Sequence, residues 1–163
     1  MFERTILITG GAGFIGTNFV DYFSSRYPKT RIIDLDALTY AAHPQSFERQ
    51  KTMANVVPVE GNICDEALLQ ELFERYDISG VIHFAAESHV DNSIADPVRF
   101  VQTNVMGTAA LLDVSLKFWK KTERLDKARF HHISTDEVFG TLGAKGFFTE
   151  DTPYAPTSPY SAS

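Results

Sequence analysis

Residues 9–16 read Thr-Gly-Gly-Ala-Gly-Phe-Ile-Gly, directly after a short apolar run and directly before a segment with a helical pattern. A strand, a glycine-rich turn and a helix in this order form the phosphate-binding unit of dinucleotide-binding folds. Gly10 is expected to make the tight turn, Gly13 to let the backbone approach a pyrophosphate, and Gly16 to let the helix pack closely on the strand. Exposed amides at the helix start would bind the phosphates. They belong to Phe14 and Ile15.

Glycine-rich turns are also common without a ligand, so the interpretation depends on the residues beyond the turn. The second apolar run, at 31–35, leads into acids about 20 residues after the glycines, where a carboxylate can accept hydrogen bonds from the adenosine ribose. Asp36, nearest the strand end, is the preferred candidate. Asp34 has two interpretations, a hydrogen bond to the ribose or a turn or helix cap. A carboxylate here would repel the 2′-phosphate of NADP, and no arginine follows closely. The predicted cofactor is therefore NAD.

Apolar runs alternate with longer amphipathic segments along the chain, a pattern typical of a parallel sheet whose strands are joined by crossover helices. The runs lie near residues 5–9, 31–35, 56–59, 80–85 and 129–133. We therefore predict an α/β fold, a Rossmann-type doubly wound parallel sheet. Pro153, Pro156 and Pro159 indicate that the last stretch is irregular.

The composition is typical of a globular intracellular enzyme, with 44% hydrophobic residues among 163 and a formal net charge of −6. This charge disfavours nucleic acid and anionic membrane surfaces as partners. Cys64 is the only cysteine, so no intrachain disulfide can form. There is no signal-peptide pattern and no apolar stretch long enough to cross a bilayer. We expect a cytoplasmic protein and predict no metal site.

A long helix is predicted over 94–119, with apolar residues on two faces. The first set recurs every three or four residues and comprises Val98, Val101, Val105, Ala109, Leu112 and Leu116. The second set comprises Phe100, Leu111, Val114 and Phe118. One face must cover the sheet. The other either forms a helix-to-helix contact in a homodimer, which we expect, or is buried beneath another part of the same subunit. Charges at Leu111 and Phe118 are predicted to disrupt the dimer.

Small and polar residues follow the fourth apolar run, at the end of the sheet where open parallel sheets form their ligand crevice. Phe84, Ala85 and Ala86 are expected to lie against the dinucleotide, since larger side chains there would obstruct it. Ser88 is the candidate for a substrate contact. His89 is interpreted as a hydrogen-bonding scaffold rather than as a general base.

A hydroxyl and two adjacent carboxylates follow the fifth run, at Thr135, Asp136 and Glu137. On local pattern alone, the two acids either begin a helix, where the backbone dipole favours negative charge, or take part in catalysis. The nearby dinucleotide turn favours catalysis, because confinement beside a cofactor can keep one carboxyl protonated as an acid while its neighbour acts as a base. Such a pair suits the elimination of water.

Five motifs together resemble the extended short-chain dehydrogenase/reductases, and among these the sugar-nucleotide 4,6-dehydratases that act on dTDP-glucose. The motifs are TGGAGFIG at 9–16, DALTYA at 36–41, FAAESHVD at 84–91, STDEVFG at 134–140 and SPYSAS at 158–163. Epimerases and decarboxylases of the same superfamily typically have a small residue where this chain has Asp136, so this carboxylate favours a dehydratase. The alternatives are such an epimerase or decarboxylase, and a non-catalytic module that binds NAD or dimerises.

The resemblance implies that a sugar nucleotide is oxidised at C4, loses water and is reduced at C6, so that NAD is regenerated in each cycle. Tyr160, as phenolate, would remove the 4-hydroxyl proton while Thr135 hydrogen-bonds the same oxygen. Glu137 would take the C5 proton, and Asp136 would protonate the departing 6-hydroxyl. The resemblance also assigns Asn104 to the substrate. It assigns further residues to the cofactor site, namely Thr39, Asn62, Ile63 and Thr103.

Three positions depart from the pattern of the relatives. Asn62 stands where an aspartate commonly accepts a hydrogen bond from the adenine amine, which an amide oxygen can also accept. Asn92 stands where arginine is usual, and Phe139 where tyrosine is usual.

The end of the chain is a further departure. Tyr160 opens a Tyr-x-x-x-Lys motif whose lysine would follow Ser163. That ammonium group, one helical turn away, would favour the phenolate. We therefore expect residues 1–163 to be an NAD-binding Rossmann domain truncated before the last strands and the sugar-nucleotide domain. Little or no turnover is expected from it alone.

Overall fold

The computed structural model describes residues 1–163 and contains one parallel sheet of five strands. The strands are β1 (Arg4–Thr9), β2 (Thr30–Asp36), β3 (Val56–Glu60), β4 (Ile78–His83) and β5 (Arg129–His132). Their order across the sheet is β3-β2-β1-β4-β5, so the direction of winding reverses between β1 and β4. Each predicted apolar run corresponds to a strand, and the predicted doubly wound α/β fold is confirmed.

Helices cover both faces of the sheet. They are α1 (Phe14–Arg26), α2 (Pro44–Gln50), α3 (Glu66–Tyr76), α4 (Val90–Ala95), α5 (Pro97–Phe100), α6 (Thr108–Lys121) and α7 (Pro159–Ala162). Because successive strand side chains point to opposite faces, Ile6 and Ile8 pack on one face with Val20 of α1, whereas Leu7 packs on the other with residues of α3 and α6. No helix combines the length and apolar character that crossing a membrane requires.

The helix predicted over 94–119 is interrupted at Asp96. This residue has φ −139° and ψ 73°, because a proline disfavours helical geometry in the residue before it. The Asp96 carboxylate then accepts a hydrogen bond from Arg99 N and caps a new helical segment that begins at Pro97. This segment continues through a π-helical stretch, Val101–Gly107, into α6.

The two apolar sets on this helix have opposite surroundings. Leu111 is fully buried against the sheet, Phe118 packs beside it, and Trp119 Nε1 donates a hydrogen bond to Ile78 O at 2.8 Å. Charges at Leu111 and Phe118 would therefore disrupt the core, so the prediction that they probe a dimer contact is wrong. The other set forms an apolar stripe on the surface. This stripe comprises Val98, Val101, Val105, Ala109, Leu112 and Leu116.

Candidate functional site

An open cleft of about 520 Å³ lies at the carboxyl ends of the strands, around the point where the winding reverses. Open parallel sheets bind their ligands at this edge. The residues predicted for the cofactor and substrate sites line it together with two of the predicted catalytic residues. They are Gly10, Gly13, Phe14, Ile15, Gly16, Asp36, Thr39, Asn62, Ile63, Phe84, Ala85, Ala86, Ser88, Thr103, Asn104, Thr135 and Tyr160. The other two predicted catalytic residues, Asp136 and Glu137, do not line it.

The glycine turn forms a cradle that side chains would fill. Gly10 has a left-handed φ of 77°, and a Cβ on it would lie 2.7 Å from Ala85 N. A Cβ on Gly16 would overlap Gly10 O. α1 begins after Gly13 without a side-chain cap or an acid in its first turn, so its first amides are free to bind an anion. The cradle and the uncapped helix fit the pyrophosphate of a dinucleotide.

Two aspartates hold this turn from beneath. Asp36 Oδ2 accepts a hydrogen bond from Ala12 N at 2.9 Å, and its Oδ1 accepts one from Leu38 N at 2.8 Å. Each oxygen retains a further lone pair that a ribose hydroxyl can use. Asp34 is fully buried, and its Oδ1 accepts from Gly11 N at 3.0 Å. Of the two interpretations of Asp34, the structure supports the turn cap.

Asn62 uses its amide oxygen within its own loop, after β3. Oδ1 accepts a hydrogen bond from Cys64 N at 2.9 Å. The second lone pair of this oxygen remains able to accept a hydrogen bond from an adenine amine. The replacement of aspartate by asparagine is therefore compatible with the predicted contact.

A buried carboxylate joins three segments beside the cleft. Glu87 lies in the loop after β4. Its Oε1 lies 2.6 Å from Arg99 Nη2 and accepts a hydrogen bond from Arg99 Nε at 2.8 Å. Its Oε2 accepts a hydrogen bond at 3.1 Å from the hydroxyl of Tyr40, in the loop after β2, and the Arg99 guanidinium lies over the Tyr40 ring. Asn92 contributes only a 3.5 Å hydrogen bond to the Tyr40 hydroxyl. Arg99 thus provides the guanidinium that contacts Glu87, whereas Asn92 contacts only Tyr40 in this group.

The Asn104 amide is engaged within the chain. Its Oδ1 accepts from Glu87 N at 2.8 Å, and its Nδ2 donates to Glu87 O and to Ser163 Oγ, both at 3.0 Å. Ser163 Oγ also donates to Tyr160 O at 3.0 Å. Asn104 therefore links the loop after β4 to the segment that carries Tyr160. It lies with Thr103 on the π-helical stretch, a geometry frequent at functional sites.

A buried histidine that the sequence analysis missed supports the cleft from below. The His83 ring nitrogens lie 2.6 Å from Thr9 Oγ1 and 2.9 Å from Thr108 Oγ1. Burial, with a smaller effect from neighbouring His132, lowers the pKa of His83 to about 4. The ring is therefore neutral at neutral pH and fixes the ends of β1 and β4 against α6. Its partners are remote in sequence, so no local pattern could have identified it.

The segment after β5 forms a single 3₁₀ turn, Asp136–Phe139, capped by Thr135, whose Oγ1 accepts from Glu137 N at 3.3 Å. The Asp136 and Glu137 side chains are exposed, between two cleft-lining residues, Thr135 and Val138. The predicted confinement of these carboxylates is not found in the structure. The capped turn matches the alternative in which they begin a helical segment.

Tyr160 lies at the cleft, whereas His89 lies at an exposed position after β4. Tyr160 lies in α7, lines the cleft, and packs edge-on against Phe100 with 6.4 Å between ring centroids. His89 is exposed and makes no side-chain capping hydrogen bond to α4, which begins after it. Its interpretation as a hydrogen-bonding scaffold is therefore not supported.

Further residues line the cleft that the sequence analysis did not single out. They are Leu35, Ala37, Ala41, Ala42, Gly61, Glu87, Thr108, His132, Ile133, Ser134, Val138, Ser161 and Ser163. Most flank a predicted residue directly in the chain. That adjacency is the signal that could have identified them.

Comparison with known proteins gives consistent matches. The sequence model of the GDP-mannose 4,6 dehydratase family matches residues 7–163. A dTDP-glucose 4,6-dehydratase of Xanthomonas campestris pv. campestris is 52% identical over 161 residues, which are 98% of this chain and 45% of that protein.

Solved structures of dTDP-glucose 4,6-dehydratases are similar as well. The Bacillus anthracis enzyme in complex with NAD has a TM-score of 0.81 and 41% identity, over 98% of this chain and 46% of that one. The Streptomyces venezuelae enzyme, also with NAD bound, has a TM-score of 0.84 and 39% identity, over 98% of this chain and 48% of that one. The chain thus spans about half the length of the relatives it matches.

Proposed function

This chain belongs to the GDP-mannose 4,6 dehydratase family, and on that basis we propose that it is the NAD-binding part of a dTDP-glucose 4,6-dehydratase. The proposed reaction converts dTDP-glucose to dTDP-4-keto-6-deoxyglucose by oxidation at C4, loss of water and return of hydride to C6. Relatives that carry this name are similar along nearly the whole chain, which supports the choice of substrate.

One observation carries the proposal: a single cleft unites the glycine cradle with the hydroxyls of Thr135 and Tyr160. A dinucleotide in the cradle and a sugar beside these hydroxyls would lie next to each other in this cleft, as hydride transfer requires. Asp36 lines the same cleft, and its carboxylate favours the ribose of NAD over the 2′-phosphate of NADP.

Bound NAD would supply an acceptor and then a donor of hydride. The proton transfers belong to the chain. Tyr160 would take the proton of the sugar 4-hydroxyl, and Thr135 would hydrogen-bond the same oxygen. Glu137 would take the C5 proton, which the adjacent ketone makes acidic, and Asp136 would protonate the departing 6-hydroxyl. Both carboxylates are exposed and follow directly in the chain after Thr135, which lines the cleft.

The cofactor part is tested by calorimetric titration of the 163-residue chain with NAD⁺ and NADP⁺. NAD⁺ is expected to bind about tenfold more tightly or better, since Asp36 would repel the 2′-phosphate. Equal affinities would contradict the role of Asp36.

The catalytic part is tested by incubating dTDP-glucose with the full protein in which this chain occurs, and identifying the product by NMR. A 4-keto-6-deoxy sugar nucleotide is expected. A galactose nucleotide would identify an epimerase, whereas no product from a folded protein with bound NAD would identify a non-catalytic module.

The proposed partner of the apolar stripe is a second copy of the chain. The stripe runs the length of the helix from Val98 to Leu116, and its largest members remain between 41% and 73% exposed. A helix with an apolar row at this spacing can pack against its own copy about a two-fold axis. We therefore expect a homodimer joined along this helix.

A further inference from the structure

A buried carboxyl and a buried amide hold the second glycine of the cradle from beneath. Asp34 Oδ1 accepts from Gly11 N at 3.0 Å, and Gln50 Nε2, at the end of α2, donates to Gly11 O at 3.0 Å. Both residues are fully buried. The peptide groups of this turn are thus fixed by two side chains that cannot reach solvent.

Two acceptor atoms in this cluster lack a donor. Asp34 Oδ2 and Gln50 Oε1 are buried and have no hydrogen-bond partner. The two side chains meet at the same residue, Gly11, one at its amide and the other at its carbonyl. Buried acceptors without a donor are rare and unfavourable in folded proteins. A single proton on Asp34 Oδ2, donated to Gln50 Oε1, would satisfy both atoms.

The surroundings of Asp34 favour this proton. Burial, and secondarily the negative charge of Asp36, raise the pKa of Asp34 to about 7, although the hydrogen bond that it accepts from Gly11 N opposes the shift. Asp36 is the one charged side chain that acts on it, because α2 contributes the neutral amide of Gln50 and the glycine turn contributes backbone amides. No nearby cation offsets the two carboxylates.

We propose that Asp34 positions the glycine turn as a neutral acid bonded to Gln50, and that loss of its proton weakens the binding of an anionic dinucleotide. The inference rests on the proposed function, since it assumes that the cradle receives the pyrophosphate. An ionised Asp34 would place a second negative charge beneath that group and remove the donor that Gln50 needs. Because binding of the anion favours the protonated acid, linkage requires the affinity to fall as pH rises.

The test is calorimetric titration of NAD⁺ into the 163-residue chain from pH 5.5 to 8.5, with Asp34→Asn as the variant. Asparagine keeps the acceptor for Gly11 N, and its Nδ2 can donate to Gln50 Oε1 as the acid would. We expect the wild-type affinity to fall several-fold across this range with uptake of a proton on binding at high pH. The variant should keep the low-pH affinity throughout. Glu48→Gln removes an exposed carboxylate from the same helix and should behave as wild type.

The outcomes separate this inference from the proposed function. NAD⁺ binding with the same pH dependence in wild type and Asp34→Asn would overturn the role of Asp34 alone. If neither protein bound NAD⁺ at any pH, the proposed function would be overturned, and so would the inference that the Asp34 proton strengthens NAD⁺ binding. The proton is also read directly by ¹³C NMR, since the Asp34 carboxyl should titrate near neutral pH. If the Asp34 carboxyl instead titrated in the range of an exposed aspartate, the proposal that Asp34 is protonated at neutral pH would be overturned.

Discussion

Arg99 occupies one carboxylate oxygen of Glu87 with two nitrogens, at 2.6 and 2.8 Å, and leaves the other oxygen to the Tyr40 hydroxyl. The Glu87 side chain is only 7% exposed, while that of Arg99 is 46% exposed. This pair, with Tyr40, ties the loop after β2 and the loop after β4 to the helix that begins at Pro97. Both loops contribute residues to the cleft, so we expect the pair to hold two of its walls together.

Arg99→Met should lower the free energy of unfolding by about 1–3 kcal/mol, because it leaves a buried carboxylate without its cation and with the Tyr40 hydroxyl as its remaining side-chain donor. NAD⁺ should also dissociate faster, since the two loops lose their common anchor. Urea unfolding and stopped-flow displacement of NAD⁺ measure the two effects. Lys121→Met, which breaks the exposed pair with Glu74, should cost less than about 1 kcal/mol. If the double variant Arg99→Met/Glu87→Gln were no more stable than Arg99→Met, the uncompensated charge would not be the cause.

Gly16→Ala should abolish or strongly weaken dinucleotide binding, because its Cβ would overlap Gly10 O and force the turn open. We expect a loss of at least about tenfold in NAD⁺ affinity together with lower stability. Calorimetry and thermal unfolding provide the measurements. Gly143→Ala is the matched control, since a Cβ there meets nothing within 4 Å. Equal affinities for the two variants would show that the cradle does not hold the ligand.

Asp136→Asn should slow water loss by roughly 10²–10⁴-fold in the full protein, the usual contribution of a general acid, while C4 oxidation continues. Reduced nicotinamide should therefore accumulate in a single-turnover experiment with dTDP-glucose, as seen by absorbance. Glu150→Gln, an exposed acid in the irregular stretch before α7, should leave both steps unchanged. Unaltered dehydration by Asp136→Asn would refute its role as the acid.

Val105→Asp combined with Leu112→Asp should yield a monomer in analytical ultracentrifugation, because two charges would lie in the apolar stripe. Both positions are exposed, at 41% and 44%, so the fold itself should persist. Tyr22→Asp, at an exposed position on α1, tests whether any surface charge has this effect. A dimer that survives the paired substitutions would place the contact elsewhere.

His83 should make the protein sensitive to acid. Its pKa is lowered to about 4 in the fold, so the unfolded chain binds more protons between about pH 6.5 and 4, and stability falls as pH falls through that window. The shift corresponds to on the order of 3 kcal/mol. His83→Gln, whose amide does not titrate, should lose less stability between pH 7 and pH 4 in urea unfolding. His131→Gln, at an exposed neighbour on β5, should follow wild type.

The strands were predictable because parallel strands buried on both faces need continuous apolar runs, and Leu7, Ile33 and Leu35 are fully buried. The glycine turn was predictable because few other sequences fit so tight an approach of helix and strand. The break at Asp96 was signalled by Pro97, but the helical pattern on either side concealed it. Local periodicity thus predicts elements better than the points where they are interrupted.

The contacts that sequence analysis missed join residues far apart in the chain. Glu87 meets Tyr40 across 47 positions, and Thr9 meets His83 across 74. Neither spacing has a local signature. Which apolar face of a helix is buried likewise depends on the sheet beneath it, and both sets on the 94–119 segment have helical spacing. Which of the two sets is buried is determined by the packing of the helix on β4 and β5.

The single tryptophan gives this protein a built-in optical probe whose position is known. Trp119 Nε1 is bonded to the carbonyl of Ile78, at the start of β4, whereas the cleft lies at the ends of the strands. Its emission should therefore report on the docking of α6 and remain insensitive to quenching by direct contact with a nucleotide. Fluorescence can therefore follow the unfolding of α6 from the sheet, and energy transfer from the indole to a reduced nicotinamide would measure the distance between them.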